Sequence, residues 1–248
     1  MNITEIIQIG AGGTGSWFAR VLMHNLVEAR RIDKDFGGHI EWSVWDPDIV
    51  EARNLVRQPF YSGVGKPKAL YTKEMLSNFF AYNKLTGIEV ESHQSIFDDM
   101  ERLSSYSSGN LCTIVVSCVD NTYTRGRVQK HLADNCKNGE RMAYLDMGVA
   151  PDGDWSMDFA DIHLMVPLKY DKVTYPDQLL SCSERDEIGP VPQTTFSNVA
   201  AGSNAAQTLI EYIAVPRDLE AKFHKSLYGT SSGEVKRLTL EDYYRQRI

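Results

Sequence analysis

A run of charged and amide side chains between Asp46 and Gln58 carries the clearest chemical signal in the chain. The stretch DPDIVEARNLVRQ begins with two carboxylates, Asp46 and Asp48, and ends with Asn54, Arg57 and Gln58. A carboxylate at the end of a strand accepts hydrogen bonds from ribose hydroxyls. An arginine guanidinium pairs with two phosphate oxygens at once. The combination therefore indicates a ligand that carries a sugar and more negative charge than a nicotinamide cofactor.

A glycine-rich loop precedes this run. Gly10, Gly12, Gly13 and Gly15 follow the apolar segment Ile3 to Ile9 and precede a segment whose apolar residues have helical spacing. Glycines let the backbone approach phosphate groups closely, and the free amides at the start of a helix attract negative charge. The loop predicts a nucleotide site but does not say which nucleotide is bound.

Asp46 is the candidate ribose ligand, although it follows Gly10 by 36 residues, where a simple dinucleotide fingerprint has about 20. We attribute the excess to an insertion from Arg30 to Gly38, between the first helix and the second strand. Two alternatives remain for this position. Asp46 is a solvated turn residue in the first, and Asp48 takes the ribose in the second.

Further charged residues complete the predicted site. Lys66 and Lys68 stand at the start of a helix, and Asp120 ends the apolar run VVSCVD. The carboxyl ends of parallel strands meet at one crevice, so we expect the cations to neutralise a triphosphate there and Asp120 to hold magnesium. Each residue alone is more often a solvated surface charge, and the prediction depends on the combination.

The elements that must position these residues alternate between strand and helix. Apolar or alternating runs predict strands at 3–9, 39–46, 87–93, 111–120 and 142–149. Helical spacing predicts helices at about 16–29, 65–82 and 122–136, with a weak helix at 97–103. This order predicts an α/β fold with a doubly wound, Rossmann-like, mostly parallel sheet.

The pattern changes after residue 150. A strand-like segment (154–167) and a loop precede a long helix rich in small residues (196–215), and a strand, a turn and a strand follow at 225–240. We therefore predict one domain over 1–248, with a nucleotide-binding core at 1–150 and a C-terminal mixed strand and helix extension at 151–248.

Composition narrows the class of protein. The chain has 248 residues, of which 42% are hydrophobic and 24% charged, which is typical of a soluble globular protein. Its net charge of -7 argues against a general nucleic-acid binder, because such proteins need clustered Lys and Arg. No signal-peptide pattern precedes the first strand, and no apolar run is long enough to span a membrane. We expect a cytoplasmic enzyme.

The four cysteines indicate neither a zinc ribbon nor a disulfide framework, because Cys112, Cys118, Cys136 and Cys182 form no CxxC pair. We expect reduced thiols. Cys112 and Cys118 lie in or beside a buried strand, and we predict that both belong to the core.

Five motifs between Gly10 and Arg125 resemble those of the ThiF/MoeB superfamily, the adenylating enzymes related to ubiquitin activators. They are GxGGxG, D-x-D, N-L-x-R-Q, G-x-P-K and D-N-x-x-x-R, and they occur in the family's order. The later stretch GPVPQTTFSNVAAGSNAAQTLIEYI resembles the family's Gly-Pro segment and small-residue helix, so the resemblance covers nearly the whole chain. The pairing of N-L-x-R-Q with D-N-x-x-x-R is highly specific, whereas the glycine loop alone is not.

The resemblance implies ATP, with Asp46 on the ribose, Arg57 and Lys68 on phosphates, and Asp120 on magnesium. It implies a supporting role for four further residues, Asn54, Gln58, Asn121 and Arg125. The implied reaction is attack of a partner's carboxylate on the α-phosphate, which gives an acyl-adenylate and pyrophosphate. A carboxylate is already ionised at neutral pH, so this attack needs no general base.

The resemblance also implies partners. The expected substrate is the C-terminus of a ubiquitin-like or sulfur-carrier protein, and the expected assembly is a homodimer. Family members that bear zinc use two CxxC pairs, so we expect no structural zinc. Cys182 falls near a cysteine that some members use for thioester or acyl-disulfide chemistry, and an ordinary loop cysteine is the alternative. The short chain resembles compact ThiF-like proteins of bacterial or mobile-element gene clusters.

Two other functions are alternatives to adenylation. A catalytically silent partner subunit would have no chemical reason to keep Arg57, Lys68 and Asp120 together. An NAD-dependent oxidoreductase would need an acid–base residue beside the nicotinamide, and the sequence offers no candidate. We therefore predict an ATP-dependent adenylyltransferase.

Overall fold

The computed structural model describes residues 3–100, 103, 111–120, 122–135, 141–149, 154–161, 195–214, 224–230 and 233–238. Within these ranges eight strands form one sheet in the order β3-β2-β1-β4-β5-β6-β7-β8. The strands are β1 (Ile3–Ile9), β2 (His39–Trp45), β3 (Ile88–His93), β4 (Leu111–Ser117), β5 (Arg141–Val149), β6 (Trp155–Asp161), β7 (His224–Gly229) and β8 (Val235–Leu238). The helices are α1 (Gly13–Ile32), α2 (Lys68–Tyr82), α3 (Thr122–Asn135) and α4 (Thr195–Ala214), with a short 3-10 helix at Ala52–Val56.

The first five strands are parallel and form the Rossmann-like half of the sheet. Ile9 pairs with Trp45 on one side and with Ser117 on the other. The carboxyl ends of β1, β2 and β4 therefore meet at one edge, as the doubly wound prediction requires. The predicted fold class is confirmed.

The C-terminal strands extend the same sheet. β6, β7 and β8 are antiparallel, and β6 pairs with β5. The predicted strand near 155, the long small-residue helix and the final pair of strands are all present. No helix among the described residues is long and apolar enough to cross a membrane.

Two apolar layers cover the parallel strands, because their side chains alternate between the faces. Ile6, Trp42 and Ile114 lie in the layer that includes side chains of α1, α2 and α4. Ile7 and Val115 lie in the opposite layer, with side chains of α3. Burying each such side chain contributes roughly 1.5–3 kcal/mol, and this double burial fixes the positions of the strand ends.

Three of the nine residues in the predicted insertion from Arg30 to Gly38, residues 30–32, belong to the first helix, which is longer than predicted. Helix α1 begins at Gly13, earlier than expected, and continues to Ile32. A short turn at 33–38 then leads into β2. The buried guanidinium of Arg30 holds this turn, because it donates to the carbonyl oxygens of Phe36, Gly38 and Thr86. The predicted weak helix at 97–103 was wrong, because residues 97–100 and 103 form no helix.

Helices α1 and α4 cross at very short distance beside the glycine loop. A Cβ atom on Gly202 of α4 would lie 2.7 Å from the backbone nitrogen of Phe18 and 3.0 Å from the carbonyl oxygen of Thr14. Neither backbone atom can move aside easily, so only glycine permits this approach. The crossing presses the C-terminal helix against the first turns of α1.

We predict that Gly202→Ala lowers the free energy of unfolding by about 1–3 kcal/mol, because the added methyl group overpacks the crossing. The sign is diagnostic, since glycine to alanine inside an ordinary helix stabilises a protein by about 0.5–1 kcal/mol. Urea denaturation followed by circular dichroism measures the change. Gln207→Ala, on the exposed face of the same helix, is the matched control and should have little effect. A more stable Gly202→Ala variant would contradict the crossing geometry.

Candidate functional site

Backbone hydrogen bonds continue beyond the carboxyl ends of the paired strands β1, β2 and β4. The Gly10 amide donates to the Trp45 carbonyl at 2.8 Å, and the Cys118 amide donates to the Ile9 carbonyl at the same distance. The Asp46 amide donates to the His93 carbonyl at 3.1 Å. The glycine loop and Asp46 are therefore held side by side at the carboxyl edge of the sheet.

The four predicted glycines form the turn between β1 and α1. Gly10 has a φ angle of +98°, and a Cβ atom on Gly15 would lie 2.2 Å from the Gly10 carbonyl oxygen. Gly12 is the N-cap of α1, and among the described residues no side chain caps it and no heavy atom lies within 4 Å of the position that its Cβ would take. The first-turn amides of α1 are therefore available to a phosphate group.

Asp46 connects the glycine loop to the segment that follows β2. Its carboxylate accepts a hydrogen bond from the Ala11 amide at 2.6 Å through Oδ2 and one from the Asp48 amide at 2.9 Å through Oδ1. The residue is only 5% exposed. Burial raises the pKa of Asp46 above its ordinary value, while the positive charge of Lys68 and the two amide donors oppose that shift.

Asp48 holds Lys68 at the start of α2. The Lys68 ammonium lies 2.9 Å from Asp48 Oδ2, and the Lys68 amide donates to the Asp48 carbonyl at 2.9 Å. The Lys68 side chain is 6% exposed, whereas that of Asp48 is 46% exposed. Lys66 differs, because it pairs with Glu74 on the surface of α2. Lys68 and the carboxylates of Asp46 and Asp48 therefore form one charged group beside the loop.

The 3-10 helix presents the amide-rich part of the predicted site. Asn54 Oδ1 accepts a hydrogen bond from the Glu51 amide at 2.8 Å, which caps this helix. Arg57 follows its last turn and is half-exposed. The indole of Trp17 on α1 donates to the Arg57 carbonyl at 3.1 Å. This contact fixes the backbone of Arg57 relative to the helix that begins in the glycine loop.

Two amide atoms of this segment are buried without a hydrogen-bond partner among the described residues. They are Nδ2 of Asn54 and Oε1 of Gln58. An unpaired buried amide group costs about 1–3 kcal/mol. A ligand or a small rearrangement that supplied partners would remove this cost.

Asp120 and Arg125 follow β4 on the other side of the loop. Asp120 is half-buried. The Arg125 guanidinium donates to the carbonyl oxygens of Val119 and Met147 and forms an ion pair with Asp146 at 3.3 Å. Arg125 thus ties the turn before Asp120 to the neighbouring strand β5.

Two predicted site residues, Asn121 and Cys182, lie outside the described residues, as does Cys136. Cys112 and Cys118 are both part of the apolar core, as predicted. Burial raises the pKa of the Cys118 thiol, which keeps that group protonated. Within the described part of the chain no three His, Cys, Asp or Glu side chains are grouped as metal ligands.

Two buried polar residues that hydrogen-bond to the glycine loop and the start of α1 were not predicted from the sequence. Gln8 lies in β1 with no exposed surface, and its amide nitrogen donates to the carbonyls of Gly10 and Gly15. Asn198 of α4 accepts a hydrogen bond from the Thr14 hydroxyl at 3.0 Å. A glutamine between Ile7 and Ile9, in the apolar half of β1, was a signal for Gln8. Asn198 gave no comparable signal, because its contact joins residues far apart in the chain.

The sequence matches the model of the ThiF family over residues 2–141. This match covers more than half of the chain. The chain belongs to the ThiF family. Its predicted resemblance to ThiF-like proteins is thereby confirmed.

Solved structures share the fold of this ThiF-family chain. PaaA is 17% identical with a TM-score of 0.58, and the alignment covers 96% of this chain and 64% of PaaA. Escherichia coli MccB solved with ATP is 19% identical with a TM-score of 0.57, and the alignment covers 95% of this chain and 63% of MccB. MccB solved with AMPCPP and MccA is 20% identical, with the same TM-score and cover. The chain thus spans just under two thirds of the length of these proteins.

A comparison with proteins of curated function finds no match to the sequence.

We predict that the pKa of Asp46, measured by carbon-13 NMR titration, lies above 3.8 in the folded protein. Lys68→Met should raise this pKa further, because it removes the neighbouring positive charge that opposes the effect of burial. The folded state then binds the Asp46 proton more tightly than the unfolded state. This group's contribution to stability is therefore largest below pH 3.8 and is lost as the pH rises through the raised pKa.

Lys66→Met is the matched control for that titration, since Lys66 pairs with Glu74 instead of the Asp46 group. An Asp46 pKa at or below its ordinary value would contradict the geometry. So would a pKa that responded equally to the two lysine variants.

Proposed function

We propose that this ThiF-family chain is an ATP-dependent adenylyltransferase that activates a carboxylate as an acyl-adenylate. The observation that carries the proposal is the buried carboxylate of Asp46, which is hydrogen-bonded to the Ala11 amide of the glycine loop. This arrangement supports a ribose beside Asp46 and phosphates beside the first turn of α1. Binding of ATP by the related fold of MccB supports the same nucleotide here.

The charged side chains support a triphosphate in preference to an uncharged ligand. In the proposal, Lys68 exchanges part of its interaction with Asp48 for a phosphate oxygen, and Arg57 pairs with a second phosphate. The buried amides of Asn54 and Gln58 gain partners when the nucleotide binds. Gly10, Gly12, Gly13 and Gly15 keep side chains away from the phosphates.

Magnesium fits the donor set of this site. Mg²⁺ is usually bound by one or two carboxylates together with substrate phosphates and water, so it does not need a cluster of three protein ligands. Asp120 is a half-buried carboxylate that follows β4 at the carboxyl edge of the sheet. In our proposal Asp120 holds the ion, which supplies charge stabilisation at the phosphates. Arg125 supports Asp120 by restraining the turn before it.

The chemistry requires no general base. An ionised carboxylate oxygen of the substrate attacks the α-phosphorus of ATP, and the bond from that phosphorus to the bridging oxygen breaks. The products are an acyl-adenylate and pyrophosphate. Arg57 and Lys68 offset the charge that develops on the leaving pyrophosphate, and Asp46 orients the nucleotide through its ribose.

We propose the C-terminus of a ubiquitin-like or sulfur-carrier protein as the substrate. A peptide carboxylate would follow the same mechanism, and the MccB structure that contains MccA with AMPCPP supports a substrate of that kind. Cys182 remains the proposed acceptor of the activated acyl group, and transfer to it would form a thioester and release AMP.

We further propose that the chain forms a homodimer through the surface beside the nucleotide site. Six of the eleven exposed large apolar residues that the structure describes belong to segment 49–64 or to the start of α4. They are Ile49, Leu55, Val56, Tyr61, Val64 and Phe196. The Thr195 hydroxyl lies 3.5 Å from the Val56 carbonyl, so the two segments are neighbours. Exposed apolar residues grouped in this way mark an interaction surface, and a twofold axis would cover it on both copies.

We predict that Lys68→Ala lowers the rate of ATP–pyrophosphate exchange by about 100-fold or more, the usual effect of removing one preorganised donor to developing charge. Arg57→Ala and Asp120→Ala should also abolish most exchange. The assay contains magnesium and candidate carrier proteins or peptides. Lys66→Ala is the matched control, because its side chain lies two residues away and pairs with Glu74 on the surface.

Each failure of that assay has a separate meaning. ATP binding by the wild type without exchange for any carboxylate substrate would favour the silent partner subunit. NAD binding in place of ATP would overturn adenylation altogether. Equal losses in Lys66→Ala and Lys68→Ala would show that general charge near α2, and not the buried lysine, controls the reaction.

We predict that Val56→Asp and Phe196→Asp each convert the protein to a monomer, because a carboxylate in an apolar interface loses its hydration. Light scattering coupled to size-exclusion chromatography measures the molar mass. Ile32→Asp is the control, since Ile32 is 90% exposed at the far end of α1. A monomeric wild type, or dimers in all variants, would refute this interface.

A further inference from the structure

We infer that Asn198 is a positioning residue that fixes the phosphate-binding turn of the glycine loop. Asn198 is the fourth residue of α4 and has no exposed surface. It lies outside the segment that matches the family model. The inference rests on the proposed function, because it assigns a role in ATP binding to a residue of the C-terminal segment.

The Asn198 amide lies directly against the first residue of α1. A Cβ atom on Gly13 would be 2.8 Å from Asn198 Oδ1 and 2.9 Å from both Cγ and Nδ2. Such distances are far below ordinary contact, so the amide occupies the space that any side chain at position 13 would need. The Gly13 backbone and the Asn198 amide therefore fix each other's positions.

A hydrogen bond adds direction to this contact. The Thr14 hydroxyl donates to Asn198 Oδ1 at 3.0 Å, and Thr14 is only 8% exposed. Four residues further along α4, Gly202 allows a close approach to the backbone of α1. The contact of Asn198 with Gly13 and Thr14 and the crossing at Gly202 hold successive turns of the two helices together.

The position of Asn198 explains why its side chain is an uncharged amide. The N-terminal end of α1 carries a partial positive charge, and its first-turn amides are the proposed phosphate ligands. A carboxylate at position 198 would face the same helix end and repel the phosphates. Asparagine supplies the oxygen acceptor that Thr14 needs without adding this negative charge.

The test compares two ligands that differ in their phosphates. For Asn198→Asp we expect the dissociation constant for ATP to rise about tenfold or more, as for one like-charge interaction at an effective dielectric constant of about 20. The dissociation constant for adenosine should stay unchanged, because adenosine lacks phosphates. A structural defect would weaken the binding of both ligands. Thermal denaturation followed by circular dichroism identifies the temperature range in which every variant is folded, and calorimetric titrations are made within it.

Asn204→Asp is the matched control for charge. It adds the same carboxylate six residues further along α4, where Asn204 donates to the Ala200 carbonyl. We expect it to change neither dissociation constant. The inference would be overturned if the two aspartate substitutions weakened ATP binding equally, or if Asn198→Asp did not weaken ATP binding.

A second measurement does not depend on any ligand. Asn198→Leu keeps a side chain of similar size but removes the acceptor for Thr14, so amide hydrogen exchange in peptides that cover residues 10–18 should become faster. Peptides from β3 should exchange at the wild-type rate. Unchanged exchange at the glycine loop would overturn the inference. If the wild type bound neither ATP nor adenosine, the proposed function would fail. The amide hydrogen exchange of residues 10–18 would then decide alone whether Asn198 fixes the turn.

Discussion

The carboxylate of Asp46 is the interaction on which the candidate site depends. Its two oxygens accept amide hydrogen bonds from Ala11, in the glycine loop, and from Asp48, beyond the end of β2. Asp48 in turn holds Lys68 at the start of α2. One buried group therefore sets the distance between the glycine loop, the proposed phosphate-binding turn, and the lysine that begins α2. Parallel pairing of β1 with β2 brings these segments together, and Asp46 fixes how they meet.

This arrangement has an energetic cost that suits a binding site. Burial disfavours the charged form of Asp46, and Lys68 and two backbone amides offset only part of that effect. Asn54 and Gln58 each leave one buried amide atom without a partner in the part of the chain that the structure describes. Ribose hydroxyls and phosphate oxygens have the donors and acceptors that these groups lack. The unliganded site is therefore less well satisfied than the liganded one, which favours binding of the complementary nucleotide.

The sequence predicted most of the elements, and the strand ends that carry Asp46 and Asp120, because both depend on local pattern. Apolar runs marked the parallel strands, and the ends of those strands marked Asp46 and Asp120. The limits of α1 were missed, since its first turn lies inside a glycine loop that propensity alone assigns to coil. Arg30 looked like part of an insertion, yet its guanidinium closes the turn that follows the helix. Gln8 and Asn198 were missed because their partners are defined only by tertiary packing.

The position of α4 changes how the chain should be divided. A boundary near residue 150 separates two sequence patterns, but the physical contacts cross it. Asn198 and Gly202 press on the first turns of α1, where Gly13 and Thr14 begin the helix. Such contacts transmit displacement, because packed backbone atoms have no space to yield. A chain without α4 would keep every residue of the five motifs. It would lose the contacts of Asn198 and Gly202 that pack against the glycine loop and the first turns of α1. Helix α4 is thus part of the site's construction, even though the proposed chemistry belongs to residues before it.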